Sequence, residues 1–441
     1  MKRVPAGPKM NVKNKILLYL VTGLTCLARP GISSAAEDKP APRFKLIFAE
    51  RFRQETWDNA INLDDTSSEG FAYTRNKTTL GLQWFAAKGL EITGKLTNEF
   101  RVYFAPKDRP FNWNEVFFDN LYVKWKLPKD LPFTLTAGRQ DIFLGEGFVI
   151  ADGNPLDGSR SFYFNALRLD YEARPNHKII FLLHSMDTTD TFLPTINDQD
   201  QPLIEQPEKA LAAYYSGLFG KSTLDAYIIR KTIDKVEAAD IESGINTFGA
   251  RLQAPLFQPL LLTFEGAYQT GSYGEADRRA LGGISHLDYS PGGVPLLKTL
   301  IVGGIFLSGD RPETERFEAW DPLFSRWPKW SEGYIYTFIR ESRVAYWSNL
   351  TSFYGSLVLD FGTRANATLT CHRLGADERN PAAFPGGTGV LRGTLIVSKF
   401  NFTISRNLSG YVQWDYFRPG DFYFAGASPF NWLRFELMFR Y

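Results

Sequence analysis

The segment that most restricts the fold is the last one, Phe430 to Tyr441, reading FNWLRFELMFRY. Leu433, Phe435, Leu437, Phe439 and Tyr441 fall on one face, and Trp432, Arg434, Glu436, Met438 and Arg440 on the other. A period of two marks a strand with one apolar side. That side is built almost wholly of large residues, and the segment stops on an aromatic where a terminal strand of a soluble domain normally frays. A strand of about ten residues, apolar on one side and charged on the other, suits a barrel in a membrane. A strand of a soluble β-sandwich has the same period, so the rest of the chain must decide.

Strand-like segments recur at 44–55, 70–86, 90–104, 114–127, 132–144, 161–173, 176–187, 210–219, 221–232, 244–254, 259–271, 278–290, 297–308, 347–361, 364–374, 391–404, 409–418 and 430–441. The count is even, as a single-chain bacterial barrel requires. After every second strand the link is short and rich in turn residues, as in Ala87-Lys88-Gly89, Arg174-Pro175 and Gly362-Thr363. The alternate links are long, with 309–346 the longest and only 272–277 brief. Short turns at one end and long loops at the other describe a meander closed into a barrel. The fold expected is all-β: one transmembrane antiparallel up-and-down barrel of about eighteen strands, with short periplasmic turns and long extracellular loops.

Aromatic residues reach 15% while charged residues remain at 22%, and no run of about eighteen apolar residues follows the N-terminal region. Alternating faces produce that mixture. In 90–104, Leu90, Ile92, Gly94, Leu96 and Val102 oppose Glu91, Thr93, Lys95, Thr97, Glu99, Arg101 and Tyr103. So many charges require a wet interior.

The N-terminus carries Lys2, Arg3, Lys9, Lys13 and Lys15, then an apolar run from Ile16 to Ala28 and the small residues Ser33-Ser34-Ala35-Ala36. This predicts a secretory signal peptide over 1–36, with Met10 an alternative start and residues 37–441 forming the barrel. Cys26 lacks the small preceding residue of a lipidated cysteine. Removing 1–36 takes six basic residues and no acidic one, leaving 44 basic against 48 acidic, so the formal charge moves from +2 to −4. The mature chain is not basic, and nucleic acid is not an expected partner. Only Cys371 then remains, which excludes an intrachain disulfide. The four histidines lack ligand spacing, so no metal, cofactor or catalytic residue is assigned. Cys371 and His372 point to opposite faces, and His372 with Glu265 rests on residue type alone.

Alternation places Arg51, Arg53, Arg75, Lys95, Arg101, Lys124, Arg168, Arg251, Arg434 and Glu436 on the pore wall. Basic positions outnumber acidic ones there although the mature chain is acidic. A low-dielectric wall focuses such an excess toward anions, while many of these charges are expected to pair across strands. The long segment 309–346 gathers Phe317, Trp320, Phe324, Trp327, Trp330, Tyr334, Tyr336 and Phe338. These rings can stack sugars at the mouth or fold in as a gate; they can also form the loop's own small core or rest at the membrane interface.

Several stretches resemble the alginate export family of outer-membrane proteins. They are Gly138-Arg139-Gln140, Leu144-Gly145-Glu146-Gly147, Asp157-Gly158-Ser159-Arg160-Ser161-Phe162, the opening Glu50-Arg51-Phe52-Arg53-Gln54-Glu55, Ser308-Gly309-Asp310 and Trp320-Asp321-Pro322-Leu323-Phe324. The resemblance implies an eighteen-stranded barrel in the outer membrane of a Gram-negative bacterium, with an arginine-rich constriction passing a polyuronate. It also implies that the aromatic-ended last strand is read by the insertion machinery through Tyr441. Expected partners are outer-membrane lipid, an anionic saccharide or small anion, and periplasmic export proteins. A porin for small organic acids, an outer-membrane enzyme and a soluble secreted all-β binding protein are the other readings. Strict alternation puts Arg139 with Phe133, Leu135 and Ala137, facing lipid; a bulge at Gly138 would turn it into the substrate path.

Overall fold

In the computed structural model of the protein, the described residues are 43–441 apart from 67–69, 110, 112–114, 129–130, 152–159, 161 and 343–345. The expected signal peptide and part of one family motif, residues 157–159 and 161, lie outside them. Eighteen strands form a closed antiparallel barrel. In chain order they are β1 (Arg43–Asp58), β2 (Phe71–Ala87), β3 (Leu90–Ala105), β4 (Val116–Lys126), β5 (Phe133–Gln140) and β6 (Phe164–Arg174). Next come β7 (His177–Met186), β8 (Glu208–Phe219), β9 (Ser222–Ile233), β10 (Ser243–Phe257), β11 (Leu260–Tyr273) and β12 (Ala276–Tyr289). The last six are β13 (Leu297–Leu307), β14 (Leu350–Asp360), β15 (Ala365–Gly375), β16 (Leu391–Thr403), β17 (Leu408–Pro419) and β18 (Phe430–Arg440). A two-residue strand, Arg316–Phe317, pairs in parallel with β12, and one helix stands among the described residues, α1 (Tyr334–Ser342).

Each expected strand is present, with ends displaced by a few residues. The largest displacement is in β5, which stops at Gln140 instead of running to residue 144. The chain there leaves the wall. The last strand closes on the first in antiparallel register, from Ala49 opposite Arg440 to Asp58 opposite Asn431. The Tyr441 amide donates to the Phe48 carbonyl at 2.9 Å, extending the seam beyond β18.

Outward faces are apolar, as on β18, where Leu433 and Phe439 are exposed to the surroundings of the barrel. No helix among the described residues is long and apolar enough to cross a membrane; the strands do that work. Cys371 is exposed and the adjacent His372 is buried, as their opposite directions require.

The inward face changes character along the barrel axis. Toward the short-turn rim it carries charges and threonines. Toward the long-loop rim it is largely apolar, with Ile229, Ile245 and Leu307 fully buried. What buries them is loop. Residues 141–151 and 308–342 fold into the lumen and touch each other: the Phe324 amide donates to the Val149 carbonyl at 3.1 Å, and Phe148 stacks on Trp320 at 5.1 Å. Trp320 lies over Gly282 of β12, where a Cβ would come within 2.7 Å of the indole, so the wall is cut back to admit the ring. Helix α1 seats against the seam, with Thr337 donating to the Ala60 carbonyl and Tyr336 stacked on Trp57 at 4.5 Å. The aromatic segment thus lies inside the barrel, where its rings also pack on one another, Tyr334 against Trp330 and Phe338.

Gly138 in β5 has φ 120°, which L residues rarely adopt, and a Cβ there would meet the Leu121 carbonyl oxygen at 2.2 Å. Gly138→Ala is therefore expected to destabilise the barrel by about 1–3 kcal/mol. A reduced urea midpoint for refolding into detergent would register it, and an unchanged midpoint would show that the wall relaxes freely there.

Candidate pore and its charged wall

Five strands at the closing seam, β18, β1, β2, β3 and β4, project a ladder of opposite charges into the lumen. Arg53 donates to Glu436 across the seam itself. Glu99 sits between two guanidinium groups, 3.0 Å from Arg51 and 2.8 Å from Arg75. Lys77 reaches Asp119 at 3.4 Å. Asp119 is the extra residue of a bulge, because Lys95 faces Asn120 while Leu96 faces Phe118. Beside this ladder lies a cavity of about 450 Å³ whose charged lining is Lys45, Arg51, Arg53, Lys77, Lys95 and Arg440 against Asp119 and Glu436. Six cations face two carboxylates. Lys95 makes no ion pair among the described residues, so its charge stays available to the lumen.

The other predicted wall residues are distributed around the barrel. Arg101 is exposed, with its guanidinium 5.3 Å from the centre of the Tyr73 ring. Lys124 is exposed near the short-turn rim. Arg168 is paired with Asp170 two residues along its own strand at 2.8 Å. Arg434 is buried, 3.1 Å from Glu55 and 3.3 Å from Glu332 of the long loop, and lies over the Trp432 ring. Arg251 binds Glu146 at 2.6 Å and Asp225 at 3.2 Å. Glu146 belongs to the Leu144-Gly145-Glu146-Gly147 stretch, so that motif is the tip of a loop pinned to β10. Its amide also donates to Glu265 of β11 at 3.0 Å. The tip leaves β5 and fastens to strands a third of the way round the barrel.

Arg139 does not face lipid. Its side chain is fully buried, donates twice to Asp190 at 2.6 and 2.8 Å and to Asn165 at 2.9 Å, and lies 4.1 Å from the centre of the Tyr163 ring. Both ladders of β5 keep register through Gly138, so no bulge is present; the backbone turn at that glycine is the irregularity. Asp190 comes from the segment between β7 and β8 and is shared with Arg160, which also binds Glu115. Arg139 is thus a clasp for a loop. Burial pushes the Asp190 carboxyl up, but Arg139 and Arg160 pull it below its ordinary value. A carboxyl lowered by folding gives stability that is complete above its unfolded value and lost as pH falls through its folded one. Hydrogen exchange in 187–207 should therefore rise only below the ordinary carboxylate range, and Asp190→Asn should remove that pH dependence.

Several charged groups escaped the alternation argument. Glu208 is buried, with one carboxylate oxygen 2.5 Å from Arg326 and 3.1 Å from Lys231, and Arg392 chelates Glu341 of α1. Lys231 shares its inward face with Tyr227 and Ile229, so the face does not read as a wet wall. The partners Arg326 and Glu341 come from a loop whose path is not encoded by a strand period. His372 and Glu265 are not brought together: His372 packs beside Ser352, Trp330 and Tyr354, and Glu265 binds Tyr227. No metal-binding cluster occurs among the described residues.

The family described as alginate export matches residues 44–374. None of the curated proteins matches the chain. Solved structures with the same fold include three from Pseudomonas aeruginosa. OpdK with vanillate has a TM-score of 0.58 at 9% identity, covering 90% of this chain and 98% of that one. OccK2 (OpdF) in complex with glucuronate has a TM-score of 0.56 at 12% identity, covering 90% and 98%. The outer membrane protein OprD has a TM-score of 0.55 at 10% identity, covering 92% and 95%. At such identities the likeness is one of fold.

Proposed function

The chain belongs to the alginate export family, and from that membership we propose that it passes anionic, hydroxyl-rich solutes, with oligosaccharides or polysaccharides of the alginate type as the leading class. Family and barrel together make it an outer-membrane channel and indicate a channel rather than an enzyme. The observation that carries the anion preference is the seam cavity, where six cationic side chains face two carboxylates within about 450 Å³. Selection is passive: charge focused by the low-dielectric wall favours anions in the lumen, and the inward loops limit their size. Arg101, Lys124 and Arg168 would line the approach, whereas Arg139, Arg251 and Arg434 would act by holding the loops that shape it.

A second reading, small organic acids, draws support from the two loops that cross the lumen. A narrowed path favours compact carboxylates, and vanillate and glucuronate are the compounds named with two of the porins of like fold.

Planar-bilayer recording of the detergent-refolded protein tests both. A reversal potential of anionic sign is expected under a salt gradient. Arg51→Ser with Arg53→Ser should shift it toward cations, because Glu99 and Glu436 lose compensating charge. An unchanged reversal potential would remove the seam from the selectivity path. Block by oligouronates but not by neutral oligosaccharides would favour the saccharide reading; block by monomeric acids alone would favour the second.

A further inference from the structure

Arginine on the lipid-facing side of a barrel is costly near the bilayer midplane and nearly free at the interface. The outward face here carries two such rows, both near the long-loop ends of their strands. In the first, Arg373 of β15 lies opposite Thr394 of β16, which lies opposite Arg418 of β17. In the second, Arg230 of β9 faces Asn246, Asn246 faces Thr270, and Thr270 faces Arg279 of β12. All four arginines are exposed, and their strand neighbours on the same face include exposed Leu369, Trp414, Ile228 and Leu281. Arg373 donates to the Thr394 hydroxyl at 3.0 Å and Arg230 to the Asn246 side chain at 3.0 Å. None of the four forms an ion pair with a carboxylate among the described residues. Lys209 on β8, by contrast, is neutralised by Asp234.

We propose that these rows bind the phosphorylated headgroups of lipid in the leaflet around the long-loop rim. The chemistry fits on three counts. A guanidinium offers paired N–H donors matched to phosphate oxygens. Thr394, Asn246 and Thr270 supply neutral polar groups between the charges. The apolar and indole side chains directly below give acyl chains a surface to lie on, and bacterial barrels direct their long loops to the outer side. Anionic headgroups at an interface are attracted by each added basic residue, so two arginines per row make a composite site.

The test uses the full refolded chain in neutral detergent, with bisphosphorylated lipid A as the probe and native mass spectrometry as the readout. Wild type is expected to retain lipid A at least about tenfold more strongly than Arg373→Gln with Arg418→Gln, given the attraction per basic residue. The corresponding pair Arg230→Gln and Arg279→Gln should lose binding separately. Conductance and heat-modified gel mobility report that the variants are folded, since none of the four lines the lumen. Wild type against dephosphorylated lipid A gives an arm that needs no variant, and a clear loss is expected. Equal retention of the two lipids, equal retention by the variants, or full competition by millimolar inorganic phosphate would each overturn the lipid assignment.

Discussion

Arg434→Ala is expected to lower the stability of the barrel by about 3–5 kcal/mol, the usual cost of removing one partner from a buried ion pair. Glu55 is fully buried and has Arg434 at 3.1 Å and the Tyr73 hydroxyl at 2.8 Å. Without the guanidinium its charge would remain in a site that water does not reach. Glu332 of the long loop would lose its tie as well. The measurement is the urea midpoint of the detergent-refolded protein, with Arg434→Ala and Glu55→Gln made singly and together. The double variant should recover part of the loss, because neither charge is then left alone. Additive losses would mean that the two residues stabilise the seam independently.

The second large effect is on conduction. Replacing residues 311–347 by a short Gly/Ser linker should raise single-channel conductance severalfold, because Trp320, Phe324, Tyr334 and Phe338 occupy lumen that would become water. The shortened channel should keep its anion preference, since the seam cavity is lined by strand residues and Tyr441. It should also be less stable, because Ile229, Ile245 and Leu307 would be wetted. Conductance equal to that of the parent would show that another element limits flow. Loss of anion preference would move selectivity from the seam to the loop.

The strands were legible because barrel walls obey a two-residue period that survives every change of side chain. Glu91 to Tyr103 alternates cleanly with its apolar neighbours, and both the span and the direction of β3 follow. Arg51, Arg53, Arg75 and Glu436 were legible for the same reason. The period holds direction but says nothing of depth or of what fills the lumen. Ile229 and Ile245 point inward like charged wall residues, and their meaning became clear only with the loop residues Trp320, Leu323 and Phe324 buried in the same apolar cluster. Arg139 shows a different limit: Gly138 turns the backbone without inserting a residue, so counting positions cannot detect it. Asp190, Glu146 and Arg326 lie in loops, where no periodicity reports which wall they reach.

The seam also has a kinetic consequence. Arg53 and Glu436 meet across 383 positions of chain, and Ala49 opposite Arg440 joins the first strand to the last. Contacts of such separation are late and slow to form, and until they form both strands offer unpaired edges to other chains. The cationic cavity draws most of its lining from these same two strands. A barrel that stalls open, or closes out of register, therefore lacks its anion filter even if every other hairpin is correct. Anion-selective current would thus serve as a functional readout of the final folding step, separating closed molecules from nearly finished ones that spectroscopy of secondary structure would count as folded.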